Sequence, residues 1–191
     1  MRSTKSFVSM RVRKSWKAKN DVKSMKIAIS NQKGGVAKTT NTINLAGAAA
    51  EMGNDVLAVD TDPQGHLTNT LGLRDEYRSD SPSFYDAWLE PDDVDPTELT
   101  VEHPEFDVLP SNLGMFNLEQ DLIAAGWRVR ERLKMVFEGL PEYDYVFVDA
   151  PPSLGPINDN VLLATENIAI PMAANEMSID ALVILLDQIE T

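Results

Sequence analysis

The sequence predicts an α/β fold: a mostly parallel, twisted sheet flanked by helices. Three observations carry this expectation. Short apolar runs alternate with longer stretches of helical spacing, the pattern of successive βαβ units. A glycine-bearing loop stands between the first such run and the first helix. Two further runs, Asp55–Asp60 and Tyr143–Asp149, both close on an aspartate.

Taken in order, Met1–Ser24 shows neither helical nor strand periodicity and reads as a basic tail. Two accounts of it compete: a disordered arm that touches nucleic acid, or sequence upstream of the true start. The second is preferred, because the fold gains nothing from these residues and Met25 opens a natural first strand. Lys26–Ser30 is that strand, and Asn31–Lys38 a turn. Thr39–Met52 carries Ile43, Ala46, Gly47 and Ala50 at helical spacing and is stopped by Gly53. Asp55–Asp60 is a buried strand, Ser83–Leu89 a short helix, and Glu90–Pro104 an acidic loop punctuated by proline. Phe106–Leu109 is a strand, Met115–Phe137 a helix broken near Gly126, and Tyr143–Asp149 a strong strand. Asn167–Pro171 is a further strand and Ile179–Ile189 an amphipathic final helix. A sheet of this class continues beyond such a helix, so residues 25–191 are expected to be a domain incomplete at its C-terminus.

Composition narrows the function. The 191 residues suit one domain with a sizeable core, and 43% hydrophobic with 25% charged residues is ordinary for a globular protein. With no cysteine there is neither a disulfide framework nor a thiolate metal site, which fits a reducing cytoplasm. His66 and His103 are isolated and read as surface or turn residues rather than a metal pair. No apolar run approaches the ~20 residues that cross a bilayer, and the basic N-terminus lacks the apolar stretch of a secretory signal. A cytoplasmic protein is expected, with nucleoid association open.

The net charge of −13 is unevenly spread. Residues 1–26 hold nine Lys/Arg against Asp21 alone, whereas the remainder holds eight against 29 acidic residues. Beyond residue 26 the lysines are Lys33, Lys38 and Lys134. So acidic a surface repels itself at low salt and is eased by screening. It points to a salt-rich cytoplasm, the alternative being an ordinary acidic bacterial protein.

The chemistry concentrates in Lys33-Gly34-Gly35-Val36-Ala37-Lys38-Thr39-Thr40, placed between a strand and a helix. Glycines let backbone N–H groups converge on phosphate oxygens, and the following helix turns its positive end on the anion. Lys38 supplies a point charge for the β- and γ-phosphates, and the Thr39 hydroxyl suits Mg²⁺. Gly34 through Thr40 are the nucleotide-binding candidates. Ala37 stands where the general pattern has its second glycine, and is expected at negative φ.

These residues resemble the deviant Walker A motif of the ParA/MinD group of P-loop ATPases, whose distinguishing feature is the early lysine. The resemblance runs from about Met25 to the end of the chain and is loosest between residues 75 and 140. It implies that two subunits sandwich two ATP molecules, with Lys33 reaching the partner's nucleotide. Asp60-Thr61-Asp62-Pro63-Gln64-Gly65 is similar to the family's DxDPQG segment. It implies that Asp62 orients or activates the attacking water, with Asp60 nearer the metal. Tyr145–Ser153 is similar to Walker B, where Asp149 holds Mg²⁺ through water. The catalytic candidates are therefore Lys33, Lys38 and Asp62, the metal candidates Thr39, Asp60 and Asp149, and the cofactors ATP and Mg²⁺.

Three functions follow from the resemblance. The first is an ATP-dependent dimeric switch for chromosome or plasmid partitioning, binding DNA non-specifically and stimulated by a ParB-like centromere-binding partner. The second is a MinD-like membrane-associated positioning ATPase; the third is a DNA-binding module with negligible turnover. The wording of the Asp62 and Asp149 segments favours the first, and membrane attachment is not expected. Arg128, Arg130, Arg132 and Lys134 form the dense basic cluster outside the tail, with Arg128 and Arg132 sharing a helix face at i, i+4. A solvated helix face is the preferred account of it, DNA contact the alternative.

Overall fold

The computed structural model describes residues 24–80, 82–172, 183 and 186. Six strands form one sheet in the order β3-β4-β2-β5-β1-β6. In chain order these are β1 (Met25–Ile29), β2 (Val56–Asp60), β3 (Val101–Glu102), β4 (Asp107–Leu109), β5 (Tyr145–Asp149) and β6 (Asn167–Ala169). Every neighbouring pair is parallel except β3 with β4. The helices are α1 (Lys38–Glu51), α2 (His66–Thr70), α3 (Arg74–Tyr77), α4 (Phe84–Leu89), α5 (Met115–Ala125), α6 (Arg132–Glu138) and α7 (Pro156–Thr165).

The strands β2, β4 and β5 are buried on both faces, so they read as nearly continuous apolar runs rather than alternating ones. Successive residues nevertheless serve opposite faces. Leu57 and Val59 join Val146 and Val148 against residues of α4, α5, α6 and α7. Val56 and Ala58 join Ile29, Val108 and Phe147 against Ala46 of α1, Leu67 of α2 and Phe106. Each such leucine or valine, taken wholly out of water, contributes about 1.5–3 kcal/mol before chain entropy is subtracted.

Strand order places the chemistry. β5 lies between β1 and β2, with Ile29 opposite Asp149 and Asp149 opposite Asp60. The chain leaves β1, forms α1 and returns as β2 on the far side of β5. The loop after β1 and both aspartates therefore meet at the carboxyl edge of the sheet, where open parallel sheets bind ligands.

Several sequence expectations are corrected. The stretch from Met115 to Phe137 is two helices separated by residues 126–131, with Gly126 at φ 66° and Arg128 at φ 46°. Arg128 is thus in the turn, and it and Arg132 share no helix face. Arg132 is only 6% exposed. Its Nε donates to the Trp127 carbonyl at 3.1 Å and its Nη1 to the Leu89 carbonyl, with the guanidinium 5.1 Å from the Trp127 ring centre. It is a tie between segments rather than part of a solvated face. The helices α2, α3 and α7 have no counterpart among the sequence expectations. The loop Glu90–Pro104 contains the short strand β3. The basic tail up to residue 23 and the final helix over Ile179–Ile189, save Val183 and Leu186, lie outside the described residues. Among the described residues no helix is long and apolar enough to cross a membrane.

Candidate active site

The loop from Ser30 to Ala37 turns the chain from β1 into α1. Its start is shaped by Asn31, whose Oδ1 accepts from the Lys33 N–H at 2.9 Å and whose Nδ2 donates to the Pro171 carbonyl at 2.8 Å. Gly35 holds φ 73°, a conformation that side chains rarely take. Chain neighbours apart, no heavy atom lies within 4 Å of where a Cβ would stand on Gly34 or Gly35, so nothing crowds the loop at these two positions.

Ala37 departs from expectation. It sits at φ 62°, ψ 33° as the residue before α1, with no side-chain cap. The expected negative φ is wrong. The loop must reverse direction just ahead of the helix, and the left-handed region accomplishes this whichever residue is there. An alanine bears about 1–2 kcal/mol of strain for it.

Lys38 opens α1 and is buried, 8% exposed, with Nζ 3.4 Å from the Lys33 carbonyl. Burial lowers its pKa, while the carboxylates of Asp149 and Asp62 pull it back up. The Thr39 hydroxyl donates to Asp149 Oδ2 at 2.6 Å. The Thr42 hydroxyl lies 3.1 Å from the Lys38 carbonyl and 3.4 Å from Asp149 Oδ1. Burial lifts the Asp149 carboxyl to about 6 against the hydrogen bond from Thr39. A dication beside it would restore the ionised form.

Asp60 is wholly buried and lifted by that burial to about 7. Its Oδ2 accepts from the Thr68 N–H at 2.8 Å and the Thr68 hydroxyl at 2.7 Å. Its Oδ1 accepts from the Asp62 N–H at 3.2 Å. Asp60 and Asp149, both metal candidates, stand opposite each other at the ends of β2 and β5 with their oxygens hydrogen-bonded within the protein, and Asp149 is the one bonded to the loop threonine. Asp62 is 9% exposed, its Oδ1 accepting from the Gln64 N–H at 2.9 Å.

Among the described residues no three acidic or histidine side chains converge as a metal cage. Mg²⁺ does not need one: it keeps several waters and takes one or two carboxylates plus substrate phosphates. A hydroxyl and a carboxylate 2.6 Å apart beside a phosphate loop fit that demand. Sequence reasoning missed Thr42, Thr68 and Ser111. Thr42, one turn after Thr39 on the inner face of α1, had a spacing that could have flagged it. Ser111 comes from the end of β4 and had no local signal.

Fold and site together define a nucleoside-triphosphate-binding protein with a phosphate loop that opens on a second lysine. A family model described as an AAA domain matches residues 24–191, and the chain belongs to that family, being of its ParA/Soj type. It is 38% identical over 168 residues to the sporulation initiation inhibitor protein Soj of Bacillus subtilis (strain 168), covering 85% of this chain and 64% of the relative. It is 39% identical over 167 residues to the chromosome-partitioning ATPase Soj of Thermus thermophilus, covering 86% of this chain and 61% of that protein. The chain therefore spans somewhat less than two thirds of these curated relatives. Among solved structures, a Mycobacterium smegmatis protein described as cobyrinic acid a,c-diamide synthase, with ADP and magnesium bound, superposes at a TM-score of 0.80. The two are 33% identical, over 88% of this chain and 67% of that one.

Proposed function

We propose that this chain is the nucleotide-binding part of an ATP-hydrolysing switch that dimerises on ATP and serves chromosome or plasmid partitioning. The observation that carries the reading is the Thr39–Asp149 pair, 2.6 Å apart, closing a phosphate loop in which Lys38 is buried between carboxylates. The names of the Soj relatives supply the cellular role.

Each residue then has a task. Gly34 to Thr40 bind phosphate through backbone N–H groups and the start of α1. Lys38 neutralises phosphate charge of its own subunit. Thr39 and Asp149 are the pair that would hold Mg²⁺, which supplies charge neutralisation at the β- and γ-phosphates. Asp62 orients the attacking water. Lys33 acts across the dimer on the partner's nucleotide. Turnover by the chain alone is slow, and a ParB-like partner and non-specific DNA raise and localise it. Arg132, buried under Trp127, takes no part in that DNA contact.

The test sets three variants side by side in equilibrium ATP binding, ATP-dependent sedimentation and phosphate release. Lys38→Ala is expected to lose ATP binding. Lys33→Ala binds ATP yet stays monomeric and inactive, the loss of a charge-neutralising finger costing about 10³–10⁵ in rate. Asp62→Ala binds ATP and dimerises, and turns over about 10²–10⁴ more slowly. A Lys33→Ala variant that dimerises and hydrolyses normally would overturn the sandwich arrangement.

A further inference from the structure

The turn that bears Asp62 is gripped from two sides by residues outside the three motifs. On one side, the Ser111 hydroxyl donates to the Asp62 carbonyl at 2.8 Å, an oxygen that also accepts from the Gly65 N–H at 2.9 Å. Ser111 is wholly buried, and its own N–H donates to the Thr68 hydroxyl oxygen at 2.9 Å. Thr68 in turn donates to Asp60, so an unbroken buried chain of hydrogen bonds joins the two aspartates through Ser111, two residues past β4.

On the other side stands Tyr77, the last residue of α3. Its hydroxyl donates to the Pro63 carbonyl at 2.8 Å. Its ring lies so close over Gly65 that a Cβ there would be 2.3 Å from Cε2. The Tyr77 carbonyl accepts from the Leu113 N–H at 3.1 Å, two residues past Ser111. One short segment at the end of β4 thus fixes both jaws of the clasp.

We propose that Ser111 and Tyr77 are positioning residues for hydrolysis: they hold the Asp62–Gly65 turn so that the Asp62 carboxylate stays beside Lys38 and Asp149. Among the described residues neither makes a hydrogen bond to the phosphate loop. Each closes a contact on the backbone of residues 62–65, and a carboxylate that aligns water is sensitive to such placement. A displacement of about 1 Å can cost on the order of 10² in rate while leaving binding intact. The inference rests on the reading of Asp62 given above.

The experiment is a double-mutant cycle on the full chain. Tyr77→Phe removes one hydroxyl and keeps the ring over Gly65; Ser111→Ala removes the other clasp. ATP affinity and single-turnover hydrolysis are measured for each, alone and combined with Asp62→Ala. The expected result is an ATP Kd within about twofold of the parent and turnover lowered about tenfold, with no further slowing in the Asp62→Ala background. Further slowing in that background would show that the residues act elsewhere and overturn the proposal. Parental turnover in Tyr77→Phe and Ser111→Ala, with Asp62→Ala slow, overturns the proposal and leaves the role of Asp62 standing. Parental turnover in Asp62→Ala removes both.

Discussion

Ala37 holds a left-handed conformation that glycine would occupy without strain. Ala37→Gly is therefore expected to stabilise the folded chain, the relief of about 1–2 kcal/mol being partly offset by about 0.5–1 kcal/mol of added unfolded-state entropy. Urea unfolding should show a higher midpoint with an unchanged slope; a lower midpoint would mean that the alanine methyl is itself a packing group. Asp60 gives a second test at this scale. Burial lifts it to about 7, from an ordinary carboxyl value of about 4. The folded state binds a proton that the unfolded state has already released, so this contribution is present below about pH 4 and disappears as pH rises through about 7. Without nucleotide and with EDTA present, stability should fall between about pH 4 and 7, by up to about 1.4 kcal/mol per pH unit for each such group. Asp149, lifted to about 6, adds to the slope at its lower end. Asp60→Asn should flatten the upper part of the profile, and an undiminished slope would assign it to other groups.

Between elements, one polar side chain that ties several segments together is Asn160 on α7. It is wholly buried; its Nδ2 donates to the Val129 and Pro156 carbonyls at 2.7 Å each, and its Oδ1 accepts from the Leu133 N–H at 3.1 Å. It therefore caps the start of α6 from a neighbouring helix and closes the turn left open between α5 and α6. Removing it strands the buried Leu133 N–H, at about 1–3 kcal/mol, and the half-buried Val129 carbonyl, at less. Asn160→Ala is expected to cost about 2–4 kcal/mol in chemical denaturation, with the ATP affinity of the folded fraction unchanged. A loss below about 1 kcal/mol would show that water replaces the side chain.

For the molecule as a whole, charge dominates. Residues 27–191 hold eight Lys/Arg against 29 acidic residues. Self-repulsion at that balance is screened over a Debye length of about 8 Å at physiological ionic strength and about 3 Å at 1 M. The thermal midpoint should rise with KCl well beyond physiological concentration, and a flat or falling midpoint would remove the salt-adapted reading. The effect adds to that of protonation, since lowering pH relieves the same repulsion.

Local pattern was enough to read β1, β2, β5, α1 and the loop between Ser30 and Ala37 from the residues alone. An apolar run, a glycine turn and a strand-ending aspartate are all written within a few positions of one another. The candidate roles of Lys38 and Thr39 rest on that same loop pattern, whereas those of Asp62 and Asp149 come from the family resemblance. By contrast α7 shows no clear apolar period, because Asn158, Asp159 and Asn160 interrupt it, and their polarity makes sense only against Ser30 after β1, Arg130 in the turn before α6 and Leu133 of α6. Tertiary structure alone decided that β5 lies between β1 and β2, which brings Asp60 and Asp149 side by side. It alone turned Asp60 inward to Thr68, buried Arg132 beneath Trp127, and carried Ser111 to the back of Asp62. The physical reason is range. A strand or turn is chosen by neighbours along the chain, whereas a buried donor or acceptor must take whichever partner the packed sheet delivers.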